Sequence, residues 1–210
     1  MTTDVRVVPT PQGEARLHSD RSRRPVATLV LNHGAGKGVD ARDLAVLAAE
    51  LPRNGISTIR VEQPWHVAGK KVASRPEHLD EATVACMNAV RVRTPVILGG
   101  RSAGARVACR LGRSLGAVGC LALAFPLHPP GRPERSRLPE LLGAGIPTLV
   151  VQGERDAFGR PDEFPGGVEL AAIPDADHGF AVPKRAVLSQ EDALALIVEA
   201  VVEWVTARVA

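Results

Sequence analysis

The five residues Gly100-Arg101-Ser102-Ala103-Gly104 form the pattern G-x-S-x-G. The apolar run Pro95 to Leu98 leads into it, and a helical pattern, Ala105 to Leu111, leads out. A sharp strand-to-helix turn strains the serine backbone and projects Oγ above the sheet. Two flanking glycines, with no Cβ, let strand and helix approach across the turn. The helix then aims its first N–H groups at the same place. That is the arrangement of a nucleophile; an ordinary glycine-rich turn has the same composition but no reason to sit between a strand and a helix.

A serine hydroxyl is a poor nucleophile without a base. The chain has six histidines, at 18, 33, 66, 78, 128 and 178. His178 is the best placed. It follows the last strand-like run, in Ile-Pro-Asp-Ala-Asp-His-Gly-Phe, where a loop can reach over the carboxyl edge of the sheet. Asp175 and Asp177 are too local to orient it and are read as turn-formers. The orienting acid is placed at Asp156, in the loop after the run Thr148 to Val151, with Glu154 and Asp162 as competitors. A carboxylate there accepts from Nδ1–H and stabilises the imidazolium. The order Ser, Asp, His differs from the chymotrypsin and subtilisin orders.

Acyl transfer also needs donors for the oxyanion. The run Val26 to Leu31 leads into Asn32-His33-Gly34-Ala35-Gly36-Lys37-Gly38, a loop of small residues. The expected oxyanion hole pairs the N–H of Ala103 with that of Ala35, Gly36 being the alternative. His33 is read as bonding within its own loop. Phosphate or dinucleotide binding fails on spacing: Val39 stands where G-x-G-x-x-G needs glycine, and no G-x-x-x-x-G-K-[ST] is present.

The elements that must carry these residues follow from periodicity. Val5 to Val8 and Glu14 to His18 read as an edge hairpin around Pro11 and Gly13. Val26–Leu31, Thr58–Val61, Val96–Leu98, Cys120–Ala124, Thr148–Val151 and Val168–Ile173 are continuous apolar runs of strand length. Unbroken apolar strands belong to sheets covered on both faces. Helical patterns occupy Asp40–Leu51, Glu77–Val90, Ala105–Leu115, Pro139–Leu142 and Glu191–Arg208. Alternating strands and helices predict an α/β class, a mostly parallel twisted sheet with helices on both faces, in one domain over 1–210. The last helix is apolar almost all round, with Glu199 and Glu203 on a wet side; burial against the sheet is favoured over a dimer face.

Two loops are expected to frame the pocket, Glu62 to Pro76 and Phe125 to Arg137. Trp65, His66, Arg101 and His128 are the candidate substrate contacts. Arg101, Arg132, Arg135 and Arg137 are read as solvated loop charges in preference to attractors of an acidic substrate. About 13 residues separate the strand before the second loop from the next helix, too few for a lid domain.

Composition narrows the function classes. The 210 residues are 45% hydrophobic and 23% charged, which excludes disorder and supports a full core without disulfides. Net charge is +3, with no dense basic stripe and only 3% aromatics, which argues against nucleic acid as a partner. Arg21, Arg23 and Arg24 read as a solvated loop. Cys86, Cys109 and Cys120 lie in apolar stretches and read as buried free thiols. With no signal-like segment and no membrane-length apolar run, a cytoplasmic protein without membrane partners is expected.

The chain resembles the α/β-hydrolase superfamily from about Val26 to its end. More closely, it resembles the small lidless group related to dienelactone hydrolases and testis-expressed protein 30. The likeness rests on Gly100 to Ala108, Phe125 to Gly131, Gly153 to Gly159 and Ala176 to Phe180. Dienelactone hydrolases proper carry a cysteine nucleophile where this chain has Ser102. The resemblance implies a serine hydrolase with Ser102, Asp156 and His178 as triad, no metal and no organic cofactor, acting on a small-molecule acyl substrate, an ester or thioester. Because that group includes subunits of larger assemblies, the alternative is a catalytically silent binding or scaffold protein; a peptidase is disfavoured, since no extended peptide groove is evident. Oligomeric state is left open.

Overall fold

The computed structural model describes residues 3–209. Eight strands form one sheet in the order β1-β2-β4-β3-β5-β6-β7-β8. They are β1 (Asp4–Thr10), β2 (Gly13–Asp20), β3 (Ala27–Asn32), β4 (Ile56–Glu62), β5 (Val96–Arg101), β6 (Gly119–Leu123), β7 (Thr148–Gly153) and β8 (Glu169–Ile173). The hairpin β1–β2 pairs antiparallel within itself and onto β4; every pair from β4–β3 through β7–β8 is parallel. The hairpin is therefore the antiparallel margin of a parallel sheet.

The helices are α1 (Arg42–Glu50), α2 (Pro64–Val67), α3 (Pro76–Ala89), α4 (Ala103–Leu111), α5 (Leu138–Leu142) and α6 (Gln190–Val209). Strands β3, β4 and β6 are buried along their whole length, as continuous apolar runs require. Alternate residues of β3 feed two cores. Leu29 and Leu31 face α1 and α6, while Val30 faces the side covered by α4. On α6, Ala193, Ile197, Val201, Trp204 and Val205 are buried against the sheet side, and Glu199 and Glu203 are exposed. Among the described residues, no helix is long and apolar enough to cross a membrane.

Three elements end differently from their sequence patterns. The pattern Asp40 to Leu51 splits into α1 and a 3-10 turn, Leu51–Asn54, because Pro52 removes a backbone donor. Helix α4 stops at Leu111, before Gly112. The stretch after β4, expected as loop, opens with α2, whose first residue is Pro64, preorganised for that position. Between β6 and β7 the chain carries only a 3-10 turn and α5. All three cysteines are buried and free; Cys109 Sγ and Cys120 Sγ are 3.8 Å apart, and burial pushes the Cys86 thiol up to about 12.

Candidate active site

Ser102 sits between β5 and α4 with φ 54° and ψ −113°, left-handed for a residue with a Cβ. Such a conformation costs about 1–3 kcal/mol and persists only where its surroundings hold it. Here the Ser102 N–H donates to the Leu123 carbonyl at 2.9 Å, and the Ser102 carbonyl accepts from Arg106 N–H at 3.2 Å. The two glycines are required by contact: a Cβ on Gly100 would lie 2.5 Å from the Gly104 carbonyl carbon, and one on Gly104 would fall on the Asn32 carbonyl. Strand β3, strand β5 and helix α4 thus meet backbone to backbone beneath the serine.

His178 lies in the loop after β8, and its Nε2 is 2.9 Å from Ser102 Oγ. Its Nδ1 is 2.8 Å from Asp156 Oδ2. The Asp156 side chain is fully buried and saturated: Oδ1 accepts from Phe158 N–H at 2.8 Å, and Oδ2 also accepts from Gln152 Nε2 at 2.9 Å. A carboxylate so held presents one face to His178 and fixes Nδ1 as the protonated nitrogen. The two competing acids are elsewhere. Glu154 is exposed and accepts from the Asp175 N–H; Asp162 is exposed in a 3-10 turn. Asp177 does shape the turn, with Oδ1 accepting from the N–H groups of Gly179 and Ala181.

Ser102 and His178 open onto a cleft of about 460 Å³. Its walls are the loop after β3 (Ala35 to Lys37), the start of α1 (Ala41 to Asp43), Arg101, Phe158, and the His178 loop. Phe158 stands against the His178 ring with centroids 4.2 Å apart. Ala35 and Gly36 line the cleft, and Ala103 opens α4 beside Ser102.

Neither loop expected to frame the pocket contributes to these walls, and three of the four candidate substrate contacts lie elsewhere. Trp65 is buried against Leu79 of α3 and Val107 of α4, because α2 turns its large apolar ring under the surface. His66 is held by Glu62 at 2.8 Å, and Glu62 also takes His18 at 2.9 Å. His128 is buried, bonded to the Pro129 carbonyl at 2.9 Å and Glu163 at 2.8 Å. Arg101 does line the cleft, but its guanidinium is already engaged. Arg132 and Arg135 are exposed, and Arg137 donates to the Pro126 carbonyl at 2.9 Å. Phe125 and Phe180 lie in the core, leaving Phe158 as the aromatic in the cleft wall.

His33 bonds the Gly34 carbonyl through Nδ1 at 2.7 Å and accepts the Gln63 N–H on Nε2 at 3.1 Å, a neutral imidazole joining two loops. Burial pushes its pKa down to about 4, which keeps it neutral. Sequence reasoning placed Phe158 at the active edge and missed Gln152 and Asp43. Gln152 was detectable as the one amide in the apolar run of β7, four residues before Asp156. Asp43 shares the buried side of α1 with Leu44 and Leu47.

Comparison with known proteins agrees with this geometry at the level of fold. A lidless α/β serine hydrolase from Xanthomonas campestris superposes with a TM-score of 0.73 at 19% identity, over 97% of this chain and 95% of that one. Est1E from Butyrivibrio proteoclasticus, with ferulic acid bound, gives 0.75 at 14% identity over 97% and 99%. A dienelactone hydrolase from Anabaena variabilis gives 0.74 at 16% identity over 99% and 98%. No curated protein matches by sequence. Residues 25–206 match the sequence profile described as the alpha/beta hydrolase domain, and the chain therefore belongs to the α/β-hydrolase family.

Proposed function

We propose that the chain is a serine hydrolase that cleaves a small ester or thioester through an acyl-enzyme. The observation that carries this reading is the unbroken series Ser102 Oγ, His178 Nε2, His178 Nδ1, Asp156 Oδ2, with heavy-atom separations of 2.9 Å and 2.8 Å. His178 takes the Ser102 proton as Oγ attacks the acyl carbon. Asp156 holds the tautomer that leaves Nε2 free to accept and stabilises the imidazolium that forms.

Charge on the acyl oxygen needs donors at that moment. The Ala103 N–H belongs to the first turn of α4, whose donors have no acceptor within the helix, and the Ala35 N–H belongs to the small-residue loop lining the cleft. Each such donor is worth about 3 kcal/mol in the transition state. His178 then protonates the leaving group, and a water that it deprotonates releases the acid. No step of this scheme calls for a metal or an organic cofactor. The cleft, at about 460 Å³ with Ala35, Gly36, Ala41, Gly179 and Ala181 in its walls, suits a small acyl group.

The test is fluorophosphonate labelling of the folded protein, with the modified peptide identified by mass spectrometry. Labelling at Ser102, lost in Ser102→Ala, supports the reading. A folded protein left unlabelled at Ser102 points to the catalytically silent alternative. A series of p-nitrophenyl esters of increasing acyl length then measures the depth of the cleft.

A further inference from the structure

Arg101 occupies the first variable position of G-x-S-x-G, and its guanidinium reaches across the site. Nη2 donates to the carbonyl oxygen of His178 at 2.8 Å. Nε faces Asp43 Oδ2 at 3.3 Å, with the two side chains 11% and 0% exposed. Nη1 packs on the loop after β3: a Cβ on Gly34 would lie 3.2 Å from it and 3.2 Å from Ser102 Cβ. One side chain therefore touches the oxyanion loop and the base loop while springing from the elbow, and it is tied to α1 behind them.

The tie is costly to the fold. Burial pushes the Asp43 carboxyl above the usual carboxylate range, and Arg101, the N–H groups of Asp43 and Leu44 in the first turn of α1, and His178 offset only part of that rise. Neither Asp43 oxygen makes a well-aligned hydrogen bond. Apolar residues of the same size would serve packing as well as such a pair does. What the pair does is aim the guanidinium. Arg101 Nε likewise has no hydrogen-bond partner, so the tie is an ion-pair contact at 3.3 Å between two largely buried groups, and that contact restricts where the planar fork and its Nη2 can lie. That direction meets the His178 loop, which carries left-handed backbone at Asp175 (φ 56°) and Phe180 (φ 52°) and so needs outside support.

We propose that Arg101 is a positioning residue, a staple aimed by Asp43 that holds the His178 backbone where Nε2 reaches Ser102, and that it is not a receptor for a substrate carboxylate. The catalytic consequence rests on the hydrolase reading; the staple itself does not.

The test uses the full chain with Arg101→Met/Asp43→Leu, which removes both polar side chains at similar volume. Hydrogen–deuterium exchange over 174–182 is read alongside Tm, and kcat and KM are measured for p-nitrophenyl acetate and an acid-bearing p-nitrophenyl hemisuccinate. We expect near-native Tm, exchange over 174–182 faster by about 10-fold, and kcat lower by roughly 10- to 100-fold with KM little changed for both esters. Unchanged exchange overturns the staple. Faster exchange with native kcat overturns the positioning role. A KM rise confined to the hemisuccinate, at native kcat, makes Arg101 a substrate contact instead. If the wild type neither labels nor turns over, the hydrolase reading fails and the exchange result still decides the staple. Should the double variant not fold, Asp43→Asn keeps Arg101 and loosens only its aim; exchange over 174–182 should then rise by about 3-fold, and native exchange there overturns the proposal.

Discussion

Two histidines stand at the carboxyl edge of the same sheet, each with a ring nitrogen 2.8 Å from a carboxylate: His178 on Asp156 and His128 on Glu163. The second nitrogen separates them. In His128 it meets the Pro129 carbonyl, another acceptor, so the two partners together favour a ring that donates from both nitrogens; those hydrogen bonds raise its pKa. In His178 it meets the Ser102 hydroxyl, which can give up a proton. The carboxylates differ as well. Asp156 is fully buried and receives three hydrogen bonds, whereas the Glu163 side chain is 36% exposed. A histidine–carboxylate pair is thus common to a brace and to the proposed relay, and the atom on the far side of the ring separates the two.

The largest expected effect comes from breaking the proposed relay. Ser102→Ala or His178→Ala should lower kcat by about 10⁴- to 10⁶-fold, while His128→Ala should leave it within about 3-fold. Steady-state kinetics on p-nitrophenyl acetate reads both, and comparable losses in the two histidine variants would abolish the distinction. Next come the carboxylates. Asp156→Asn should reduce kcat by about 10²- to 10⁴-fold with the fold intact, because an amide cannot fix the tautomer; Glu163→Gln should reduce it by less than about 2-fold.

A smaller effect is expected at Phe158, whose ring lies against His178 and has no counterpart on His128. Phe158→Leu should cost about 0.5–1.5 kcal/mol of orientation, roughly 2- to 10-fold in kcat. The smallest effect concerns stability. The raised pKa of His128 means its contribution is complete below about pH 6.5 and fades as pH rises through the folded value. Glu163 is held low, by the Arg160 N–H and then by His128, so its contribution is lost as pH falls toward its own folded value. With Glu163 partly exposed, the pair adds only about 0.5 kcal/mol. The gap in Tm between wild type and His128→Asn should accordingly narrow from pH 6 to pH 9; a constant gap would show that the His128 charge plays no part.

Much of this arrangement was readable from local pattern. The strand, glycine-flanked serine and helix in succession predict the elbow, because the sterics that force it act within five residues. The two loops at the sheet edge predict where a base and an acid can meet. Local pattern failed where packing competes with exposure. Trp65 and His66 look like pocket residues in a polar loop, but Pro64 starts a helical turn and the indole is buried under it. His128 sits in a proline-rich loop at the right edge, yet Glu163, thirty-five residues on, closes over it.

By itself the sequence determined the order of strands and helices and the strained turn at Ser102, since periodicity and backbone sterics are properties of neighbouring residues; it ranked His178 first as base and Asp156 ahead of Glu154 and Asp162. Only the tertiary structure decided which carboxylate meets which histidine, and that Arg101 belongs to Asp43 and the His178 carbonyl rather than to the open cleft. Those pairings join atoms 22 to 77 positions apart. They depend on register and side-chain direction across the sheet edge, which no local pattern carries.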